Sequence, residues 1–276
     1  MRKKIKIAVL ITILTTLNLS AQNHQKEWDF YMLNVDDKIA SIYLDLGLKN
    51  IAPISGKENI FWISIKMNNP RENGLSSQNE SSKLWEIEDS IEEQINSKHD
   101  VIYAGRLTNN NHRDIYFYFG DDKLIDKTLS DCMVRFPNYE YDFGIKENDK
   151  WESYLNFLYP SPMAYQSIMN RRVLESLKES GDTLEKERQV EHWIYFKTEK
   201  ERSQYEIEVQ KRDFKITDKD VDNENNEFKY KLVISREDKV TWNEINKCTI
   251  ELWELANNLN GDYDGWETSV IIEKKE

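Results

Sequence analysis

Apolar residues recur along this chain with two spacings, and the switches between them mark its elements. In "WDFYML" (28–33) and "IASIYLDLGL" (39–48), β-branched and aromatic residues gather on either side of Asp36 and Asp37, which predicts a strand pair around that turn. "IFWISIKM" (60–67) predicts a third strand, broken by Asn69, Pro70 and Gly74. The spacing then lengthens: Leu84, Ile87, Ile91 and Ile95 form one stripe of a helix over 77–95, with acids on its other face. "VIYAGRL" (101–107) and "DIYFYFG" (114–120) return to the strand pattern across the loop "TNNNH". Asp121 and Asp122 are expected to cap a helix carrying Leu124, Leu129 and Met133 until Pro137 stops it. "YEYDFGI" (139–145) reads as a strand, and "KWESYLNFLYP" (150–160) as a short closing helix.

"SPMAYQSIMNRRVLESLKESG" (161–181) follows. Ser161 suits a cap, Pro162 the first helical position and Gly181 the exit. Tyr165, Met169, Val173 and Leu177 are spaced by four, so this connector is expected to dock by one face. Beyond it "QVEHWIYFK" alternates strictly, with Val190, His192, Ile194 and Phe196 against Glu191, Trp193, Tyr195 and Lys197. A charged helix, "TEKERSQYEIEVQKR", precedes the strand "FKITDKDV", an acidic turn at 222–227 and the strand "FKYKLVIS". In "TWNEINKCTIELWELANNL", Thr241 with Glu244 predicts a capping box, and Trp242, Ile245, Leu252, Ala256 and Leu259 a buried face. "WETSVII" (266–272) reads as the last strand. The second block, and the core of the first from Ile60 to Ile145, thus run strand, helix, strand, strand, helix, strand. The fold class expected is α+β: two ferredoxin-like (βαββαβ) units with antiparallel sheets, joined by a helical connector.

The first residues are a separate matter. Arg2, Lys3, Lys4 and Lys6 flank an apolar run ending at Leu19, and "LSAQ" follows, the pattern of a cleaved signal peptide over residues 1–21. The run is too short and too rich in threonine for a comfortable membrane span, so an exported chain with no anchor after cleavage is expected. The formal charge is −12. The leader holds four bases and no acid, which leaves about −16 for the remainder. Such a chain repels phosphate backbones, so direct nucleic-acid binding is disfavoured and a basic protein partner is the natural complement. Tyr116 with Tyr118, or Trp193 with Tyr195, could stack bases, but the basic-glycine-aromatic signature of RNA-binding sheets is missing. The two cysteines, Cys132 and Cys248, have no metal or disulfide-framework spacing.

"NGDYDGWET" (260–268) invites a chemical reading. Asn260, Asp262, Asp264 and Gly265 fit the first half of a calcium loop, yet the twelfth position is Ile271 where a glutamate is required. The expectation is a turn, with Gly261 ending the helix and Gly265 permitting the bend into the strand. No phosphate-cradling loop, nucleophile elbow or paired-cysteine zinc site is present, so neither catalytic residues nor a cofactor or metal is expected. His192, on an apolar strand face, reads as a hydrogen-bonded packing residue before it reads as a ligand.

Two resemblances then enter. "GDTLEKERQVEHWIYFKTEKER" (181–202) with "DYDGWET" (262–268) resembles the family of regulators of ribonuclease E activity B, RraB. "WDFYML", "MNNPRENGL", "YAGRLT" and "FPNYEYDFGIKENDKWESYLNFLYPSP" resemble the domain of unknown function 695 family. These divide the chain into a leader (1–21), a first domain (25–162), a helical connector (163–181) and an RraB-like domain (182–276). The second resemblance implies little about function. The first implies a ferredoxin-like, non-enzymatic protein that binds and inhibits ribonuclease E, a basic-protein partner consistent with the charge. Ribonuclease E works in the cytoplasm, whereas the leader argues for export, so the protein-binding habit transfers more readily than the target. His192, Trp193, Tyr263, Asp264, Trp266 and Glu267 are the expected protein-binding residues, with Gly261 and Gly265 as turn formers. Alternatives are an exported inhibitor or immunity-type protein that neutralises a nuclease or toxin, and a hydrolase using Glu191, Asp262 and Asp264. The last requires the first and last strands of the second block to be neighbours.

Overall fold

The alternation over the first strand pair folds into a hairpin. Strand β1 (Trp28–Val35) pairs antiparallel with β2 (Lys38–Asp45). Asp36 and Asp37 between them both take positive φ, 49° and 60°, the backbone twist that suits a two-residue hairpin. The computed structural model describes residues 24–121, 124–221 and 227–272. The expected leader and most of the expected acidic turn at 222–227 lie outside the described residues.

After a 3-10 turn at Leu46–Asn50 come β3 (Asn59–Lys66) and helix α1 (Gln78–Lys98). Ser77 caps α1 by accepting from the Glu80 amide. Strands β4 (Val101–Asn109) and β5 (His112–Phe119) form a second hairpin through Asn110 and Asn111, also at positive φ. Helix α2 (Ile125–Met133) and edge strand β6 (Tyr141–Lys146) complete a six-stranded antiparallel sheet of order β1-β2-β4-β5-β3-β6. Its first helix stripe appears as expected: Leu84, Ile87, Ile91 and Ile95 are all buried. Of the residues expected to cap helix α2, Asp122 lies outside the described residues; the helix starts after Leu124, whose side chain offers no cap and which is 63% exposed.

This sheet is covered on both faces. Phe61, Ile63, Ile65, Ile115 and Phe117 pack under α1 and α2. On the other face Ile42, Leu44, Tyr116 and Tyr118 meet Trp151, Tyr154 and Leu158. The expected short closing helix supplies Tyr154 and Leu158 from a π-turn, Tyr154–Leu158, with Trp151 just before it. Trp151 stacks on Tyr118 at 3.9 Å, and the Tyr118 hydroxyl donates to Asp149.

The connector is helix α3 (Pro162–Glu179), capped by Ser161 with Pro162 in its first turn. It belongs to both cores: Ile168 packs in the first, and Leu174 and Leu177 in the second. Two arginines tie it to the first hairpin. Arg171 pairs with Asp29 and lies over the Phe30 ring, while Arg172 pairs with Asp29 and Glu27 at 2.6 Å.

The second sheet comprises β7 (Arg188–Phe196), β8 (Lys215–Val221), β9 (Tyr230–Asp238) and β10 (Gly261–Thr268) in the order β10-β7-β9-β8, all antiparallel. Helices α4 (Glu199–Gln210) and α5 (Trp242–Asn258) lie on one face, where Ile194, Phe196, Leu232 and Ile234 meet Tyr205, Val209, Leu252 and Ala256. Burying such side chains contributes about 1.5–3 kcal/mol each before conformational entropy is set against it. Thr198 and Glu201 form a reciprocal capping box at the start of α4. At α5 the anticipated box is incomplete: Thr241 Oγ1 donates to Glu244 instead of accepting from the helix backbone, and Trp242 is 43% exposed. Among the described residues, no helix is long and apolar enough to cross a membrane.

The stretch 260–268 corrects the sequence reading. It is the strand β10 itself, not a turn leading to one, and the strand ends at Thr268. The helix exits through Asn260, at φ 53°, and not through Gly261. Gly261 lies in the strand opposite Phe196, and a Cβ there would sit 2.4 Å from the Phe196 ring. Gly265 takes φ 144° beside a register shift that leaves Asp264 unpaired, a β-bulge.

Candidate functional site

An open cleft of about 860 Å³ lies where α3 faces the edge strand β10. Three pieces of backbone build it. Helix α3 contributes the stripe Tyr165, Met169 and Val173, together with Arg172. Strand β7 contributes Trp193 and Tyr195 from the face opposite α4 and α5, because its inward positions are taken by His192, Ile194 and Phe196. Strand β10 contributes its length from Asp262 to Glu267, and α5 adds Trp253.

The bulge shapes the β10 wall. Without it, strict alternation would put Tyr263 and Trp266 on opposite faces. The extra residue at Asp264 lets both turn inward, and both are buried, at 6% and 8% exposure. Asp262, Asp264 and Glu267 are left exposed on the outside. Trp266 is held by a fully used amide: its Nε1 donates to Asn170 Oδ1 at 2.9 Å. The same oxygen accepts from Gln166, and Asn170 Nδ2 donates to Thr249 (2.6 Å) and Asn246 (3.0 Å). One buried asparagine therefore joins α3, α5 and β10, and fixes the width of the cleft.

The cleft is acidic and aromatic. Surrounding protein partly desolvates Asp262 although its side chain remains accessible, and Asp264 and Glu227 add like charge. Together they push its carboxyl above the ordinary carboxylate value. Arg172 is the cation among the lining residues, and it is already paired with Glu27 and Asp29. A cation brought in from outside would relieve the crowding at Asp262. Trp193, Tyr195 and Trp253 add aromatic surface that favours the same charge.

Of the residues expected to bind protein, Trp193, Tyr263, Asp264, Trp266 and Glu267 come together here. His192 does not. It is wholly buried on the helix-facing side, where Nδ1 meets the Tyr263 hydroxyl at 2.8 Å and Phe214 packs edge-on. Burial pushes its imidazole down to about 3, with Arg236 adding to the shift, so it is neutral at physiological pH. Sequence reasoning missed Arg172 and Trp253. The four-residue spacing on the connector was a usable signal for the α3 wall, but nothing in α5 marked Trp253 as facing it.

For the acid-hydrolase alternative, register sets Glu191 apart from Asp262. Strands β7 and β10 are indeed neighbours, but Glu191 lies opposite Glu267 and Asp262 opposite Tyr195. Four strand residues separate those positions, roughly 13 Å. Cys132 and Cys248 are both free thiols, and they lie in different cores.

Comparison with known proteins finds two family models that match the chain. Residues 26–159 match the model of a family of unknown function, DUF695, and residues 167–268 match that of regulator of ribonuclease activity B, RraB. No curated protein matches the chain. A crystal structure of an unknown protein from Galdieria sulphuraria aligns at 10% identity, over 78% of this chain and 99% of that one, with a TM-score of 0.22. A candidate glycine cleavage system transcriptional repressor aligns at 10% identity over 79% and 100%, also at 0.22. Neither likeness is close enough to bear on fold or function.

Proposed function

We propose that this protein is a non-catalytic regulator that binds another protein, and that its second unit grips an extended basic segment of that partner in the cleft between α3 and β10. One observation carries the reading: three carboxylates, Asp262, Asp264 and Glu267, share a wall with Trp193, Tyr195 and Trp253, and Arg172, the one cation lining the cleft among the described residues, is already paired. A lysine- or arginine-rich segment would meet both requirements at once, ion pairing and cation–π contact. The match to regulator of ribonuclease activity B supports a protein-binding role and a ribonuclease-like partner.

We read both units as split βαβ, ferredoxin-like arrangements. The sheet order β10-β7-β9-β8, with both helices on one face, supports this for the second unit. For the first, the sub-order β4-β5-β3-β6 under α1 and α2 supports it, with the β1-β2 hairpin added beside β4. The leader over residues 1–21 favours a second, narrower reading of the target: an exported chain that neutralises a basic extracytoplasmic protein such as a nuclease or toxin.

The test is a titration of the full chain with arginine-rich peptides at several salt concentrations, read by tryptophan fluorescence. Binding should weaken as salt rises and fall about tenfold or more in Asp262→Asn/Asp264→Asn. Unchanged affinity in that variant would sink the cleft assignment. Sequencing the mature N-terminus from fractionated cells decides the location. A chain starting at Gln22 in an exported fraction supports the second reading, and an intact cytoplasmic chain removes it.

A further inference from the structure

On the helix-covered side of the second sheet, three potential metal ligands converge from separate elements: His192 on β7, Asp238 at the end of β9 and Cys248 on α5. One ligand atom from each lies within 4.8 Å of the other two. No sequence spacing announces this grouping, because the three positions are scattered over 56 residues and meet only when α5 folds onto the sheet.

A second, independent observation points to a ligand. His192 is wholly buried, its Nδ1 is engaged by the Tyr263 hydroxyl, and its Nε2 has no hydrogen-bond partner. A buried imidazole nitrogen without a partner is uncommon and costs folding free energy, which a bound cation would recover. The tyrosine supplies what a metal-bound histidine usually has, a hydrogen bond at the other nitrogen that fixes the ring. The cluster is also reachable. Asp238 and Cys248 line an open cavity of about 380 Å³, whose rim includes Glu187, Glu244 and Glu251.

We propose that His192, Asp238 and Cys248 form a binding site for a thiophilic divalent transition-metal ion of the zinc or cobalt class. A neutral imidazole, a carboxylate and a thiolate suit such ions. Tetrahedral bonds of about 2.0–2.3 Å place ligand atoms under about 4 Å apart, so closure requires shifts on the order of 1 Å. On binding, the metal–Sγ bond forms as the thiol S–H bond breaks, and the proton leaves to solvent; nothing is oxidised or reduced. The cavity supplies the fourth position to water.

Arg236 is the competing cation. Its Nε bonds both oxygens of Asp238 at 3.0 and 2.9 Å, and its Nη2 reaches Cys248 Sγ at 3.7 Å. The guanidinium keeps two further supports when it yields those contacts, the Arg212 carbonyl at 2.9 Å and the Phe214 face at 4.1 Å. It can therefore step aside without leaving its place.

The experiment is titration of the reduced full chain with Co²⁺ alone, read by the thiolate-to-cobalt charge-transfer band and the visible bands of tetrahedral Co²⁺. One ion per chain is expected, displaced by one equivalent of Zn²⁺. Cys132→Ser should keep the charge-transfer band and Cys248→Ser should abolish it with the circular dichroism unchanged. Asp238→Asn, read by Zn²⁺ calorimetry, supplies a second measurement should the serine variant misfold, with affinity falling about tenfold or more. A wild-type chain without the thiolate band, a band that survives Cys248→Ser, or Zn²⁺ affinity unchanged in Asp238→Asn overturns the site.

Discussion

Strands β5 and β7 are built from much the same residues and end in different surroundings. In β5 the run from Ile115 to Phe119 is buried without interruption, because α1 and α2 cover one face and the Trp151–Leu158 segment covers the other. In β7 burial alternates: Ile194 and Phe196 go under α4 and α5, while Trp193 and Tyr195 are half-exposed on the cleft. The first sheet spends both faces on its own stability. The second spends one and leaves aromatic surface over for something else. Aromatic residues on an uncovered face are therefore the feature to look for when the active region of such a protein is sought.

The largest effect should come from breaking the first unit's buried charge cluster. Glu88 accepts from Tyr103 at 2.6 Å and pairs with Arg106 and Arg113, and all of this lies beneath α1. Glu88→Ala leaves the buried Arg113 and the partly buried Arg106 short of a counter-charge and should cost about 3–5 kcal/mol, measured by denaturant unfolding of the full chain. Asn170→Ala comes next, at about 1–3 kcal/mol, since it takes the partner from Trp266 and Gln166 together. That variant also loosens the cleft, so peptide affinity should fall with stability, whereas Glu88→Ala should leave the affinity of the folded protein unchanged.

Acid sharpens the contrast further. Asp182 closes the second unit by pairing with buried Arg188 and accepting from the Leu184 and Ile271 amides, and these hold its carboxyl down at about 2 against 3.8. A depressed carboxylate binds fewer protons folded than unfolded. Its contribution is thus complete above pH 3.8 and is lost as pH falls toward about 2. Asp182→Asn should flatten stability against pH in that window, followed by circular dichroism. Thr198→Ala removes the α4 capping box for about 1 kcal/mol. Asp264→Asn, on the exposed bulge, should change stability by no more than about 0.5 kcal/mol while weakening the basic peptide.

Particular elements show what could be read in advance. The stripe Leu84–Ile95, the Asp36-Asp37 turn and the alternation of 190–197 each carry their own periodicity, so local physics named them correctly. The β10 stretch did not. Two glycines in "NGDYDGWET" look like turn residues, and only the packed neighbours explain them: the Phe196 ring leaves no room for a Cβ at Gly261, and the bulge needs the backbone of Gly265. Thr241 and Glu244 had the right spacing for a capping box, yet their side chains bond one another. Of the cleft, the acids and Trp193 were visible, while Arg172 and Trp253 were not, because α3 and α5 become neighbours of β10 only in three dimensions.

By itself the sequence determined where strands and helices form, which face of each is apolar, the net acidity and the division into two units. Those properties depend on neighbours within a few positions, or on simple sums over the chain. The tertiary structure alone decided that α3 would seat against both cores, that a bulge would turn Tyr263 and Trp266 the same way, and that His192, Asp238 and Cys248 would meet. Each of these depends on contacts between residues far apart in the chain, whose geometry is set by the whole packed core and by no local pattern.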